Sequence, residues 1–370
     1  MAAVWIVVGI ILISSMAVWA VLVFHPSFGG RRTRYERDAH SRVFSFYKNG
    51  RFINTTPTDM AMDVGTMLTV LRDFTWRGAG RKPVQPLGVV KWEQAKPDSL
   101  YANRVTWLGH SALIVEVGGK TLLLDPMLGK APSPFPMFGG RRYSKQLPVD
   151  VRDLPPIDAV VLSHDHYDHL DYRTIVQLRK NVRRFFVPLG VGKHLIRWGV
   201  PADAVHECSW WDELEYEGLK LASAPARHFS GRGLNDRNST LWCSWIIEGG
   251  GSRIFFSGDS GYGPHFQEIG EKYGPFDMTL MECGQYDERW AAIHMMPEET
   301  VQAHLDVRGD VLIPIHWGAF TLSVHDWRDP AERATAAARK QGVAIATPRI
   351  GEAVAIGSGV YPTEPWWRHV

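Results

Sequence analysis

The chain is 370 residues long, with 45% hydrophobic residues, 22% charged residues and a formal net charge of +2; this is an ordinary globular balance, with room for one large domain or two modest ones. So small a net charge excludes a broad electrostatic field for holding nucleic acid. Its three cysteines, Cys208, Cys243 and Cys283, form no Cys-x-x-Cys pair, which argues against a disulfide framework and fits a reducing compartment.

Residues Ala2 to Phe24 carry no charge. As a helix they would span roughly 34 Å, enough for a bilayer core of about 30 Å. A cleaved signal peptide is the competing reading, but such a peptide carries its basic region ahead of a shorter apolar core. Here Arg31, Arg32, Arg34 and Arg37 follow the run. The expectation is a retained membrane anchor, residues 1–27, with the remainder on the cytoplasmic side. A basic linker and helical extension, 28–103, then leads to the main domain, 104–370. Lys48 to Arg51 reads as a turn. Thr58 to Phe74 has helical spacing at Met60, Val64, Met67, Leu68 and Leu71, with Thr58 as N-cap.

The main domain opens with strands over Arg104–Leu108, Ala112–Val117 and Thr121–Leu124, the last two joined at Gly118-Gly119. Pro126 to Pro156 is a long irregular segment. Its apolar tip, Pro134 to Phe138, is followed by Arg141, Arg142 and Lys145, a pairing that suits a lipid headgroup layer or a loop folded over the core. Ile157 to Leu162 reads as a buried strand. Beyond it come helices over Asp171–Lys180, Val191–Trp198, His265–Tyr273, Glu298–Asp306 and Ala331–Gln341. Strands are expected at Arg184–Pro188, Leu219–Ala224, Leu241–Ile247, Arg253–Phe256, Met278–Met281 and Val311–Ile315. Leading strands followed by interspersed strands and helices, twice over, predict an α/β protein: a four-layer αβ/βα sandwich behind an N-terminal transmembrane helix.

The chemistry concentrates in Ser163-His164-Asp165-His166-Tyr167-Asp168-His169, directly after the buried strand. Three imidazoles and a carboxylate within six residues are a donor set for zinc or its first-row neighbours. On an extended or turning backbone His164 and His166 can share one ion, while Asp168 and His169 face a second position. His228, Asp259 and His316 each follow a later predicted strand, where α/β folds keep their sites. Asp165 alternates away from its neighbours and either orients a ligating imidazole, the favoured reading, or faces solvent. His110, at a Trp-Leu-Gly strand end, reads equally as a site residue or a structural hydrogen-bonding one.

His-x-His-x-Asp-His, followed by His, Asp and His on later strands, resembles the metallo-β-lactamase superfamily. Trp107-Leu108-Gly109-His110-Ser111, Leu124-Asp125-Pro126, Gly258 to Tyr262, Tyr286 to Trp290, His294-x-x-Pro297 and Ile315 to Gly318 narrow the likeness. They resemble the branch of N-acyl-phosphatidylethanolamine-hydrolysing phospholipase D and its bacterial relatives. The resemblance implies two Zn²⁺, or other first-row divalent ions. His164, His166 and His228 would hold one, Asp168, His169 and His316 the other, and Asp259 would bridge them. It implies a hydrolase whose metal-bound hydroxide attacks phosphorus of a phospholipid or other phosphodiester at a membrane. Asp168, His110 and His294 are then the catalytic candidates, and Tyr286, Arg289 and His294 the substrate-binding ones. The same metal site would also serve a lactonase or phosphorylated-sugar hydrolase acting on a soluble substrate. A non-catalytic membrane scaffold is disfavoured by seven intact ligand positions. Oligomeric state is not legible.

Overall fold

The computed structural model describes the chain except residues 32–42, 59–62, 77–79, 95–102 and 138–139. Arg32, Arg34, Arg37, Met60 and Phe138, named above, lie outside the described residues. Helix α1 (Ala2–Phe24) comes first. It is the one helix among the described residues long and apolar enough to cross a membrane, and its apolar side chains are exposed on all faces. A short hairpin, β1 (Tyr47–Lys48) and β2 (Arg51–Phe52), turns at Asn49-Gly50, as the sequence suggests. Helix α2 (Val64–Trp76) starts later than expected. The Asp63 carboxylate accepts from the Thr66 amide at 2.7 Å, whereas the Thr58 hydroxyl donates to the Thr56 carbonyl at 2.8 Å. Thr58 is therefore not the cap.

Two seven-stranded sheets follow. The first contains β3 (Arg104–Trp107), β4 (Leu113–Val117), β5 (Lys120–Leu124), β6 (Ile157–Val161), β7 (Val182–Pro188) and β8 (Val205–Cys208). The second contains β9 (Glu213–Tyr216), β10 (Leu219–Ala224), β11 (Ser244–Gly249), β12 (Ser252–Phe256), β13 (Phe276–Glu282), β14 (Gly309–Ile315) and β15 (Ala344–Ile345). The chain then returns to pair β16 (Ala353–Ala355) antiparallel with β3, completing the first sheet. β5 through β8 and β12 through β15 run parallel, so long connections must cross over; the irregular 126–156 segment links β5 to β6 and helices carry the other five. These are α3 (Tyr172–Leu178), α4 (Gly192–Arg197), α5 (His265–Tyr273), α6 (Pro297–Asp306) and α7 (Asp329–Gln341).

Alternation along the strands sets the layers. Val105, Val115, Leu122 and Val161 meet Leu221, Trp245, Phe256 and Ile313 in one core between the sheets. Their neighbours Ile114, Leu123 and Val160 face outward to Ile175 and Leu195 on α3 and α4. Phe255 and Ile246 face Phe266, Val301 and Ala338 on α5 to α7. The result is the four-layer αβ/βα sandwich read from the sequence.

The segments before residue 104 do not stand apart. Phe52 is fully buried in the central core, and Asn54 is bonded to His228 and Trp242. The Pro126–Pro156 segment folds back. Arg142, for which the sequence leaves open both a headgroup layer and a loop folded over the core, is half-buried, donating to the carbonyls of Gly129 and Met127 and lying over the Phe320 ring. Trp366 and Trp367 in the tail are also buried, with Trp366 stacked on Trp317 at 5.5 Å.

Candidate metal centre

Strand ends build the site. The turns after β5, β6, β10, β12 and β14 supply Asp125, the His164–His169 run, His228, Asp259 and His316. Several of these turns use left-handed backbone: His110, Asp125 and His316 have φ of 57°, 38° and 66°. Side chains other than glycine pay for that conformation, and such strain concentrates at functional sites. Gly258, beside Asp259, has φ 57°, and a Cβ there would lie 2.6 Å from the Ser163 Cβ. Only glycine lets these two turns approach.

Two donor groups result. In the first, the His166 Nδ1 lies 2.9 Å from the His164 Nε2 and 3.2 Å from the His228 Nε2. In the second, Asp168, His169 and His316 converge together with His110. Asp259 stands between the groups. One carboxylate oxygen is 3.0 Å from the His169 Nε2 and 3.8 Å from the Nε2 atoms of His164 and His228; the other is 3.1 Å from the His316 Nδ1. All seven side chains are nearly or wholly buried except those of His166 and Asp168, which open partly to the surface.

The atoms facing inward are under-satisfied. The His169 Nε2 and the Asp259 Oδ1 are buried without a hydrogen-bond partner, a costly state for polar atoms unless something else coordinates them. Burial pushes His164 and His228 well below the usual histidine range and His166 to about 4, so these rings are neutral at pH 7, the form that binds metal. Burial raises Asp259 to about 6. Despite burial, the Asp259, Asp168 and Asp125 carboxylates hold His169 well above the usual range, whereas the other rings, neutral around shared carboxylates, fit a pair of first-row divalent ions.

Outer partners fix the rings. The Asp125 carboxylate is 2.7 Å from the His169 Nδ1 and accepts from the Ser163 amide at 2.7 Å. The Ser163 hydroxyl is 2.9 Å from the His164 Nδ1, and the Ser111 hydroxyl 3.0 Å from the His316 Nδ1. The His228 Nδ1 donates to the Ile293 carbonyl at 2.9 Å, and the His228 backbone is held by Asn54. For His164, His169 and His228 these contacts aim the opposite nitrogens inward, whereas the His316 Nδ1 itself faces both Ser111 and Asp259. Asp125 and Asn54 carry no sequence signal of this role beyond the strand-end position of Asp125.

The other candidates separate. His110 is buried with its Nε2 2.9 Å from the Asp168 Oδ2, so it belongs to the site. The His294 ring lies 5.0 Å from that of His228 and 5.2 Å from that of His316, between the two groups. Its Nδ1 is 3.3 Å from Glu282, a wholly buried carboxyl that burial raises well above the usual range. Glu282, at the end of β13, was not singled out in the sequence. Tyr286 is buried, its hydroxyl donating to Asp329 and its ring stacked on His325. Arg289 pairs with Asp287 at 2.6 Å and Asp73 at 3.0 Å. The polar groups of both are spent away from the histidines. Asp165 holds no ligating ring; it accepts from the Gly231 amide, the Thr240 hydroxyl and His194, and so pins the 231–240 loop.

A model of the β-lactamase superfamily domain matches residues 120–317. An uncharacterised protein of Mycobacterium tuberculosis is 42% identical over 329 residues, 87% of each chain. The N-acyl-phosphatidylethanolamine-hydrolysing phospholipase D 1 of Caenorhabditis elegans is 36% identical over 235 residues, 60% of this chain and 65% of that one. A metallo hydrolase from the archaeon Ignicoccus hospitalis shares the fold at a TM-score of 0.50 and 23% identity, over 68% of this chain and 97% of the other.

Proposed function

The chain belongs to the β-lactamase superfamily and is a metal-dependent hydrolase; from that premise we propose that it is a membrane-anchored, dinuclear-zinc phosphodiesterase cleaving phospholipids of the N-acyl-phosphatidylethanolamine type. The observation that carries this reading is two donor groups meeting at one carboxylate, Asp259, beside a further imidazole, His294. In this reading His164, His166 and His228 would hold one ion and Asp168, His169 and His316 the other, with the Asp259 carboxylate in reach of both groups. When bound, a metal pair acidifies water and polarises a phosphoryl oxygen.

The chain's own residues do the rest. Asp125, Ser163, Ser111 and the Ile293 carbonyl hold the rings so that no reorientation is needed as charge develops. His110 keeps Asp168 in place. His294, partly open and backed by Glu282, is positioned to hold the phosphate or to deliver a proton to the leaving alcohol. The relative from Caenorhabditis elegans and helix α1 favour a lipid over a soluble substrate.

Hydrolysis of N-acyl-phosphatidylethanolamine vesicles in heavy-oxygen water tests the bond broken. Attack on phosphorus puts the label in the phosphate of phosphatidic acid and none in the N-acylethanolamine. Label found in a carboxylate instead would mean attack on carbon, as in a lactonase or esterase, and would defeat the phosphodiesterase reading.

A further inference from the structure

A second cavity, of about 630 Å³, opens where α1 meets the main domain. One wall is the last turns of the apolar helix, through Trp19, Leu22 and Val23. The opposite wall carries Arg31, Arg51, Lys193, Arg197 and Arg237, against a single carboxylate, Asp236. That carboxylate is engaged by the amides of Arg232 and Gly233. Among the described residues no carboxylate pairs with Arg31, Arg51, Arg197 or Arg237. Arg197 donates instead to the backbone carbonyls of Gly29 and of Val23 and Phe24, the last two at the partly negative C-terminal end of α1. Leu234, on the same cavity, is 78% exposed.

From this geometry we infer that the cavity binds the phosphate headgroup of an anionic membrane phospholipid, apart from the metal centre. Cations massed on one wall need an anion. The apolar helix end on the other wall sets the depth at which acyl chains begin and headgroup phosphates lie. Exposed Leu234 beside the cations suits the same boundary. A soluble anion would use the cations but has no need of the apolar wall. The cavity and the metal centre are neighbours: the Arg237 guanidinium lies 4.1 Å over the Phe229 ring, which packs 4.4 Å from the His166 ring. The inference rests on reading α1 as a membrane helix.

The test uses the full chain in phosphatidylcholine vesicles doped with spin-labelled phosphatidylglycerol or spin-labelled phosphatidylcholine. Wild type should restrain the anionic label in preference to the zwitterionic one. R51Q/R237Q should weaken that preference by about fivefold for each cation lost, while R339Q/K340Q on the far helix α7 leaves it unchanged. An unaltered preference in R51Q/R237Q overturns the proposal. So does abolition of the preference by millimolar inorganic phosphate, which would mark the cavity as a site for soluble phosphate. A chain that floats with the vesicles but shows no anionic preference overturns the cavity alone. A chain that does not float overturns the anchor reading and the cavity with it.

Discussion

Asp125 shows how much of this site hangs on a residue that touches no substrate. Its carboxylate fixes both the His169 ring and the Ser163 turn. Asp125→Asn keeps the shape but replaces one acceptor oxygen with a donor. We expect metal affinity or turnover to fall roughly 10–100-fold, as for other partners of ligating histidines, read by metal titration and by steady-state kinetics. Asp259→Ala should do more, because it removes the one carboxylate that, among the described residues, lies within 4 Å of both donor groups. Elemental analysis should fall from two ions per chain in the proposed enzyme; a mutant that keeps both would rule out a shared Asp259. The ligand candidates were legible in the sequence because a metal demands particular side chains at strand ends, and their spacing survives without coordinates. Tyr286 and Arg289 drew attention for equally sound chemical reasons. What the sequence could not reveal is that Asp73, over two hundred residues upstream, takes up the Arg289 charge, or that Asp329 receives the Tyr286 hydroxyl.

At the scale of elements, apolar strands were readable and polar edges were not. β8 and β9 expose many of their side chains and carry several charges, so they lack the apolar signal of central strands. β15 and β16 are too short for any periodicity. The junction after α1 was read as lying outside the folded domain, yet it is gripped. The Trp198 indole donates to the Pro26 carbonyl at 2.8 Å, the buried Arg232 to the Ser27 carbonyl at 3.0 Å, and the Gly30 amide to His194 at 3.0 Å. Two truncations separate the helix from this collar. Removal of residues 1–24 should leave a folded protein with its melting temperature nearly intact. Removal of residues 1–30 strips partners from Arg232 and Trp198 and should cost about 1–3 kcal/mol, seen as a lower denaturant midpoint. Equal stability of the two truncations would show that the collar contributes nothing.

The whole molecule carries a pH dependence to which buried histidines outside the ligand set add their share. Burial holds His194 and His265 at about 3 and His304 at about 4, whereas each titrates near 6.5 when unfolded. Between those values the unfolded chain binds more protons than the folded one. Stability from these rings is therefore complete above pH ~6.5 and is lost as pH falls toward ~3. Thermal melts of the metal-free full chain in detergent should be level on the neutral side and decline through that window. A melting temperature that holds steady down to pH ~4 would mean the rings are not neutral in the fold.

The collar around residues 25–30 also bears on how substrate arrives. Arg232 binds Ser27 with one nitrogen and, with another, the carbonyls of Asp165, inside the metal-ligand run, and Leu170, just after it. No slack chain separates the end of α1 from the loop that would hold the ions. With α1 in a bilayer, the enzyme meets its lipid by lateral diffusion within the sheet rather than by collisions from solution. Its velocity should then follow the mole fraction of substrate in the surface. Diluting that surface with inert phosphatidylcholine, at constant bulk substrate, should slow the full chain in proportion, whereas a soluble ester should be turned over at an unchanged rate.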